Sequence, residues 1–285
     1  MDKTRLDGQV AIVTGGGGGI GRGIALALAA KGANIVIAEI FPERCEEVAA
    51  RVRELGAEAM PHQIDMMDGD AVRAMVAAAD ERFGRIDILV NNVGGVSGRP
   101  FLEQSERSWR KHIDINLISM LAATHAAAPI MIRGGRGGAI LNVASIEASR
   151  AAPTFAVYAA CKAAMVSFTQ TMALELSQHE VRVNAIAPDH TISPGTMGNP
   201  PGPVDESTWI QRSPEEIDAL NRAIPLLREG VAEECGDAAV YLCSRMGEYV
   251  TGATLPIDGG TRAASGWLRG TDGKWTLNEG FRTSR

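Results

Sequence analysis

Val10-Ala11-Ile12-Val13-Thr14-Gly15-Gly16-Gly17-Gly18-Gly19-Ile20-Gly21 is the stretch whose reading decides the fold. Val10 to Val13 form a short run rich in β-branched residues, as a buried strand requires, and Ile20 to Ala30 carry the small and apolar residues of a helix packed on a sheet. An unbroken glycine cluster joins them. Strand, glycine turn and helix start together present bare backbone N–H groups and the positive end of a helix dipole, the setting in which a dinucleotide pyrophosphate binds. A glycine run alone also makes a flexible turn. Glu39, about 20 residues farther on at the end of the next apolar run, adds a carboxylate able to accept both ribose hydroxyls of an adenosine.

On the C-terminal side the alternation continues. Asn34 to Glu39 reads as a strand, Pro42 to Leu55 as a helix with proline at its start, Ala57 to Ile64 as a strand and Asp68 to Phe83 as a helix. Ile86 to Val90 is a strand of buried character apart from Asp87, and Ser105 caps a long helix towards Ile132, bent near Pro129. Strands at Ala139 to Ala144, Val181 to Ala187 and Ala253 to Ile257 alternate with helices at Thr154 to His179 and Ala232 to Ser244. Near-continuous apolar strands alternating with helices predict an α/β fold: a doubly wound parallel sheet, Rossmann-like, in a single domain. Two segments break the rhythm. Pro188 to Pro214 is rich in Pro, Gly and Ser, and the tail beyond Gly260 shows no element of its own.

The 285 residues suffice for one large domain, and 45% hydrophobic with 22% charged residues is the composition of an ordinary globular protein. A net charge of −6 argues against a nucleic-acid partner, which needs clustered Lys and Arg. The Gly-rich Arg133 to Gly138 therefore reads as a connecting turn. Cys45, Cys161, Cys235 and Cys243 lack CxxC or Cys/His spacing, so neither a disulfide framework nor a metal site is expected. The N-terminus lacks an apolar signal-like run, and Ile24 to Ala30 and Ser119 to Ile132 are too short or interrupted to span a bilayer. These features predict a cytoplasmic protein without a membrane partner.

The chemistry is read at Tyr158-Ala159-Ala160-Cys161-Lys162. Residues four apart on a helix share one face, so phenol and ammonium meet. A phenol near pKa 10 is a poor base at neutral pH; a nearby Lys⁺ and a nicotinamide⁺ favour the phenolate by roughly 2–3 units. Tyr158 is then a candidate proton acceptor or donor for an alcohol oxygen whose carbon exchanges hydride. Neither Tyr241 nor Tyr249 has a lysine four residues on.

These motifs resemble the short-chain dehydrogenase/reductase family. Thr14, Gly15, Gly19, Ile20 and Gly21 match its TGxxxGIG turn, and Asn91-Asn92-Val93-Gly94 looks like its NNAG, with Val93 in place of Ala. Ser145, at the end of a strand and thirteen residues before Tyr158, matches the family's Ser–Tyr spacing, and Asn116 matches its fourth catalytic position. The resemblance covers about residues 6 to 260. It implies a catalytic set of Asn116, Ser145, Tyr158 and Lys162. Ser145 would hold the substrate oxygen, Lys162 would bond the nicotinamide ribose, and Asn116 would bend its helix and hold a water against the lysine. Cofactor contacts are implied for Glu39, Asp65, Met66, Asn92, Gly94, Pro188, Thr191 and Ser193, besides the glycine turn, Tyr158 and Lys162. Asp65, read as ending the third strand, matches the family's adenine contact. One departure is plain: Asp189 stands where the family has Gly, and Ser193 replaces its Thr.

NAD is expected over NADP, because Glu39 would repel a 2′-phosphate and no Lys or Arg stands among Gly15 to Gly18; Arg44 reads as a solvated helix residue. The resemblance implies hydride transfer between NAD and a small-molecule secondary alcohol or ketone, alicyclic or steroid-like. Oxoacyl thioesters, sugars and cyclic diols are alternatives within the same chemistry, and a non-catalytic dinucleotide sensor is an alternative of another class. A substrate pocket is implied at Gly95, Val96, Ile146, Glu147, Phe155 and His190, under a lid of about residues 188 to 226 holding Met197 and Trp209. The expected organisation is a dinucleotide-binding and catalytic domain over residues 1–262, with a C-terminal extension over 263–285. A homotetramer or homodimer is expected, the extension with Trp267, Trp275 and Phe281 packing on a neighbouring subunit or over a pocket mouth.

Overall fold

The computed structural model describes residues 2–277; Phe281 and the rest of the extension's end lie outside the described residues. Seven parallel strands form the sheet, in the order β3-β2-β1-β4-β5-β6-β7. They are β1 (Val10–Thr14), β2 (Asn34–Glu39), β3 (Ala59–Gln63), β4 (Ile88–Asn91), β5 (Gly138–Val143), β6 (Val181–Pro188) and β7 (Thr254–Ile257). Strand order reverses between β1 and β4, and the carboxyl ends on either side of such a switch point are where ligands bind in open α/β sheets. β1 pairs with β2 through Val10 to Asn34 and with β4 through Ala11 to Ile88.

One face of the sheet is covered by α1 (Gly19–Ala30), α2 (Pro42–Glu54) and α8 (Ala232–Cys243), which pack Ile24, Leu28, Val48 and Leu242 over Ile35, Ile37 and Leu141. The other carries α3 (Gly69–Phe83), α5 (Ser119–Gly134) and α6 (Ala156–Glu175), with Met75, Val76 and Met131 against Ile12, Leu89 and Ile140. Each face buries apolar strand residues, so the strands read as continuous apolar runs. Asp87 departs from the expectation of an exposed position: it is 5% exposed, accepts from Val10 N at 2.8 Å and pairs with Arg85. A buried carboxylate needs such a partner.

The helix after Ser105 is interrupted well ahead of Pro129. Ser105 does cap it, accepting from Ser108 N, but the run divides into α4 (Glu106–Ile113), a π-turn (Asp114–Ile118) and α5, which continues through Pro129 to Gly134. The cause is Asn116, whose Nδ2 takes the His112 carbonyl at 2.9 Å and so re-phases the ladder. The whole run Glu106–Gly134 is, by length and composition, apolar enough to cross a membrane, which the sequence reading had denied; here it packs on α3 and β4.

The lid also holds an unexpected element, α7 (Pro214–Ala223), opened by Ser213 and Glu216 in a reciprocal capping box. The tail is structured as well: α9 (Thr261–Ala264) leads into a small antiparallel ribbon of β8 (Leu268–Arg269) and β9 (Trp275–Thr276). This ribbon sits on the lid helix, where Arg222 Nη1 donates to the Arg269 carbonyl at 3.2 Å, and Arg269 stacks on Trp275. The four cysteines are free and buried; burial pushes Cys235 and Cys243 up to about 12, leaving inert thiols.

Candidate active site

β1 ends in Thr14, whose hydroxyl donates to the Val90 carbonyl and accepts from the N–H groups of Asn92 and Val93, tying the glycine turn to the end of β4. Asn92 Nδ2 completes the tie by donating to the carbonyls of Thr14 and Gly15 at 2.9 and 3.2 Å. Gly15 and Gly19 take φ of +63° and +49°, which side-chain-bearing residues avoid. Gly18, at the N-cap of α1, offers no side-chain hydrogen bond, so the first N–H groups of the helix remain donors for an anion. The turn therefore fits a pyrophosphate.

Glu39 closes β2 and is 8% exposed. Its Oε2 accepts from Gly17 N at 3.2 Å and its Oε1 from Ile40 N at 2.8 Å, so the carboxylate is anchored beside the turn. Asp65 lies beyond the end of β3, not within it; its Oδ1 accepts from Met67 N at 2.9 Å, and Met66 is buried. The strand ends early because Ile64 N is the last ladder donor, bonding to Glu39 O. Arg44 is not a solvated helix residue. Its Nε donates to the Gly202 carbonyl of the lid at 2.6 Å and its guanidinium stacks on Phe41.

β5 delivers Ser145 and α6 delivers Tyr158 and Lys162. These three line one cleft of about 490 Å³ with Ile20, Asn92, Gly94 and Val96. Pro188, Asp189, His190, Thr191 and Ser193 line it as well. Tyr158 lines the cleft together with Ser145, and Lys162 Nζ lies 5.6 Å from the centre of the tyrosine ring. The one-turn spacing thus places the ammonium beside the phenol. Lys162 Nζ donates to the Val143 carbonyl at 2.7 Å, and burial lowers it to about 8. It is therefore mostly charged at neutral pH.

The phenol differs from the expectation. Burial first, and then the carboxylates of Glu147 and Asp189, push Tyr158 up, against a lowering by the Ser145 hydrogen bond.

Asn116, fully buried in the π-turn, grips Gly95 from both sides: Nδ2 donates to the Gly95 carbonyl at 2.8 Å and Oδ1 accepts from Gly95 N at 3.1 Å. A Cβ on Gly94 would stand 2.8 Å from that Oδ1 and 3.5 Å from Lys162 Nζ. Asn116 thus backs the cleft floor without lining it.

Of the residues assigned to the pocket and its lid, Gly95, Val96 and His190 line the cleft, whereas Ile146, Phe155, Met197 and Trp209 do not, and Glu147 is joined to the lining residue Asp189 only through Arg150. Phe155 packs its ring on Gly98, and Trp209 donates to Asn199 and lines a separate cavity with Gly17, Gly19, Arg44 and Pro194. Sequence reasoning missed Arg150. Its signal was the Glu147–Arg150 spacing of three in the short turn after Ser145, which brings the two side chains together.

The family described as Enoyl-(Acyl carrier protein) reductase matches residues 15–262. Galactitol 2-dehydrogenase of Agrobacterium fabrum is 36% identical over 90% of this chain and 98% of its own length. Among solved structures, 7α-hydroxysteroid dehydrogenase complexed with NADH and 7-oxo glycochenodeoxycholic acid superposes with a TM-score of 0.81 and 31% identity, covering 91% of this chain and 96% of that one. A 2-deoxy-D-gluconate 3-dehydrogenase, so described provisionally, from Agrobacterium tumefaciens with bound NADP gives 0.79 and 30%, covering 92% and 100%.

Proposed function

This chain belongs to the short-chain dehydrogenase/reductase family of oxidoreductases, which bind a nicotinamide dinucleotide, and from that premise we propose that it transfers hydride between NAD and a secondary alcohol or ketone. The observation that carries the proposal is the meeting of Ser145, Tyr158 and Lys162 in one cleft that begins at the glycine turn. When bound, a nicotinamide cofactor would supply the hydride acceptor or donor for the carbinol carbon. Ser145 Oγ donates a hydrogen bond to the substrate oxygen and fixes it beside the phenol. Tyr158 removes the hydroxyl proton during oxidation and returns it during reduction. The Lys162 ammonium, 5.6 Å from the centre of the Tyr158 ring, would hold the nicotinamide ribose and stands as a positive neighbour of the phenolate. Asn116 is a positioning residue, fixing Gly95 and the cleft floor. The lid of residues 188–226 closes over the substrate, and the tail ribbon on α7 steadies it. The reading covers a catalytic domain over 1–262, a cytoplasmic location and assembly into a homodimer or homotetramer.

A dinucleotide sensor needs neither a proton carrier nor its lysine, so retention of all four residues favours the enzyme. NAD is favoured over NADP by Glu39, which presents negative charge at the edge of the turn, while Arg44, the nearby cation, is engaged by Gly202 and Phe41. Glu39→Gln removes the charge and keeps one acceptor oxygen, enough for the Ile40 N–H or the Gly17 N–H but not both. Fluorescence titration with NADH and NADPH should then show the preference for NADH narrowed by roughly 10-fold or more, the scale of a charge-assisted hydrogen bond. An unaltered ratio would remove Glu39 from the selection.

A further inference from the structure

The cleft lined by Ser145 and Tyr158 carries a charge cluster that the hydride chemistry does not use. Asp189 is its centre. Its Oδ2 lies 3.5 Å from Arg150 Nη2 and 3.4 Å from His190 Nε2, and Arg150 also holds Glu147 Oε1 at 2.7 Å. One guanidinium thus serves two carboxylates, so the acidic side chains of the cluster outnumber Arg150. Glu147 Oε2 is buried with no hydrogen-bond partner. Asp189, held through Oδ2 by Arg150 and His190, lines the cleft and the cavity beside it, where a carboxylate oxygen accepts from water until a bound molecule brings a donor.

The backbone is arranged around the same residue. His190 adopts φ +40°, a conformation that non-glycine residues visit at a cost, and the Asp189 carbonyl accepts from Thr191 Oγ1. Glycine elsewhere in this sequence supplies most of the positive φ values, yet here a histidine takes one while an aspartate precedes it. Asp189 and His190 also line a second cavity of about 550 Å³, bounded by Pro225, Leu226, Ile257 and Asp258, so they separate the reacting end of the cleft from further space under the lid.

We infer that Asp189 is a specificity-determining residue that accepts a hydrogen bond from a second donor group on the substrate, selecting neutral polyhydroxylated alcohols over mono-alcohols and over substrates with an anionic tail. The inference rests on the oxidoreductase reading above. Arg150 positions the carboxylate, and the acidic excess of the cluster repels carboxylate or phosphate groups that would otherwise enter the second cavity. A substrate hydroxyl donating to Asp189 replaces that water without adding charge.

The test uses NAD with cyclohexanol and the 1,2-, 1,3- and 1,4-cyclohexanediols, comparing kcat/KM of the wild type with Asp189→Gly and Asp189→Asn. At least one diol should exceed cyclohexanol by about 10-fold, carried in KM, as expected for one charge-assisted hydrogen bond. Asp189→Gly should abolish that advantage and Asp189→Asn should reduce it, with NADH titration and melting temperature verifying that each variant is folded. Absence of any diol advantage in the wild type, or its survival in Asp189→Gly, overturns the inference while leaving the oxidoreductase reading intact. If the wild type oxidises none of these alcohols, the polyol inference is overturned, and whether the oxidoreductase reading goes with it is decided separately by ketone reduction with NADH.

Discussion

Tyr158→Phe is expected to lower turnover by about 10²–10⁴-fold, the usual contribution of a positioned acid/base, while NADH affinity is retained. The substitution removes one oxygen and leaves the ring where it packs, so folding and the α6 surface should survive. What disappears is the only phenol that meets both Ser145 and Lys162. The effect should fall on kcat and kcat/KM alike, as for a group acting only in the transition state. Steady-state kinetics at the cofactor's absorbance band measure it. Turnover within a few-fold of wild type would show that another group carries the proton.

Gly21→Ala should be nearly as damaging, through cofactor binding. A Cβ at this position would lie 2.1 Å from the Gly15 carbonyl oxygen and 2.5 Å from Asn92 Nδ2. Both are fixed: Asn92 Nδ2 holds the Gly15 and Thr14 carbonyls, and Gly15 N is bonded to Ala38. Backbone must therefore shift, at an overpacking cost of about 1–3 kcal/mol or more, and the shift falls on the turn that cradles the pyrophosphate. NADH affinity should drop by at least about 10-fold, together with a lower melting temperature. Gly69→Ala, where the nearest atom is the flexible tip of Arg73 at 3.5 Å, is the matched control and should change neither. Wild-type NADH affinity in Gly21→Ala would mean that the turn is not the cofactor site.

The sheet and most of its helices were legible because both faces are buried. Val10 to Val13, Asn34 to Glu39 and Ala139 to Val143 announce themselves as apolar runs bounded by turns. Ser145, Tyr158 and Lys162 were legible because their spacing along a strand end and one helical turn fixes their meeting. Other features leave no periodicity. The bend expected at Asn116 takes the form of a π-turn, because its own amide competes for the His112 carbonyl one turn back. The setting of Trp209 follows from its bond to Asn199 within the lid. The rise in Tyr158 depends on Glu147 and Asp189, which are 42 residues apart and joined through Arg150. The lid helix α7 is different: Ser213-Pro214-Glu215-Glu216 is a capping signal that was available and outweighed by the Pro and Gly content before it.

Direct hydride transfer is tested most directly by isotope. The wild-type enzyme is incubated with NAD and secondary alcohols deuterated at the carbinol carbon, cyclohexanol and the cyclohexanediols, and the reduced cofactor is analysed by mass spectrometry. Transfer from that carbon to the nicotinamide, with Tyr158 taking the hydroxyl proton, predicts one deuterium in each reduced cofactor and strongly diminished formation in Tyr158→Phe. Reduced cofactor without deuterium, or equal formation by the variant, would contradict it.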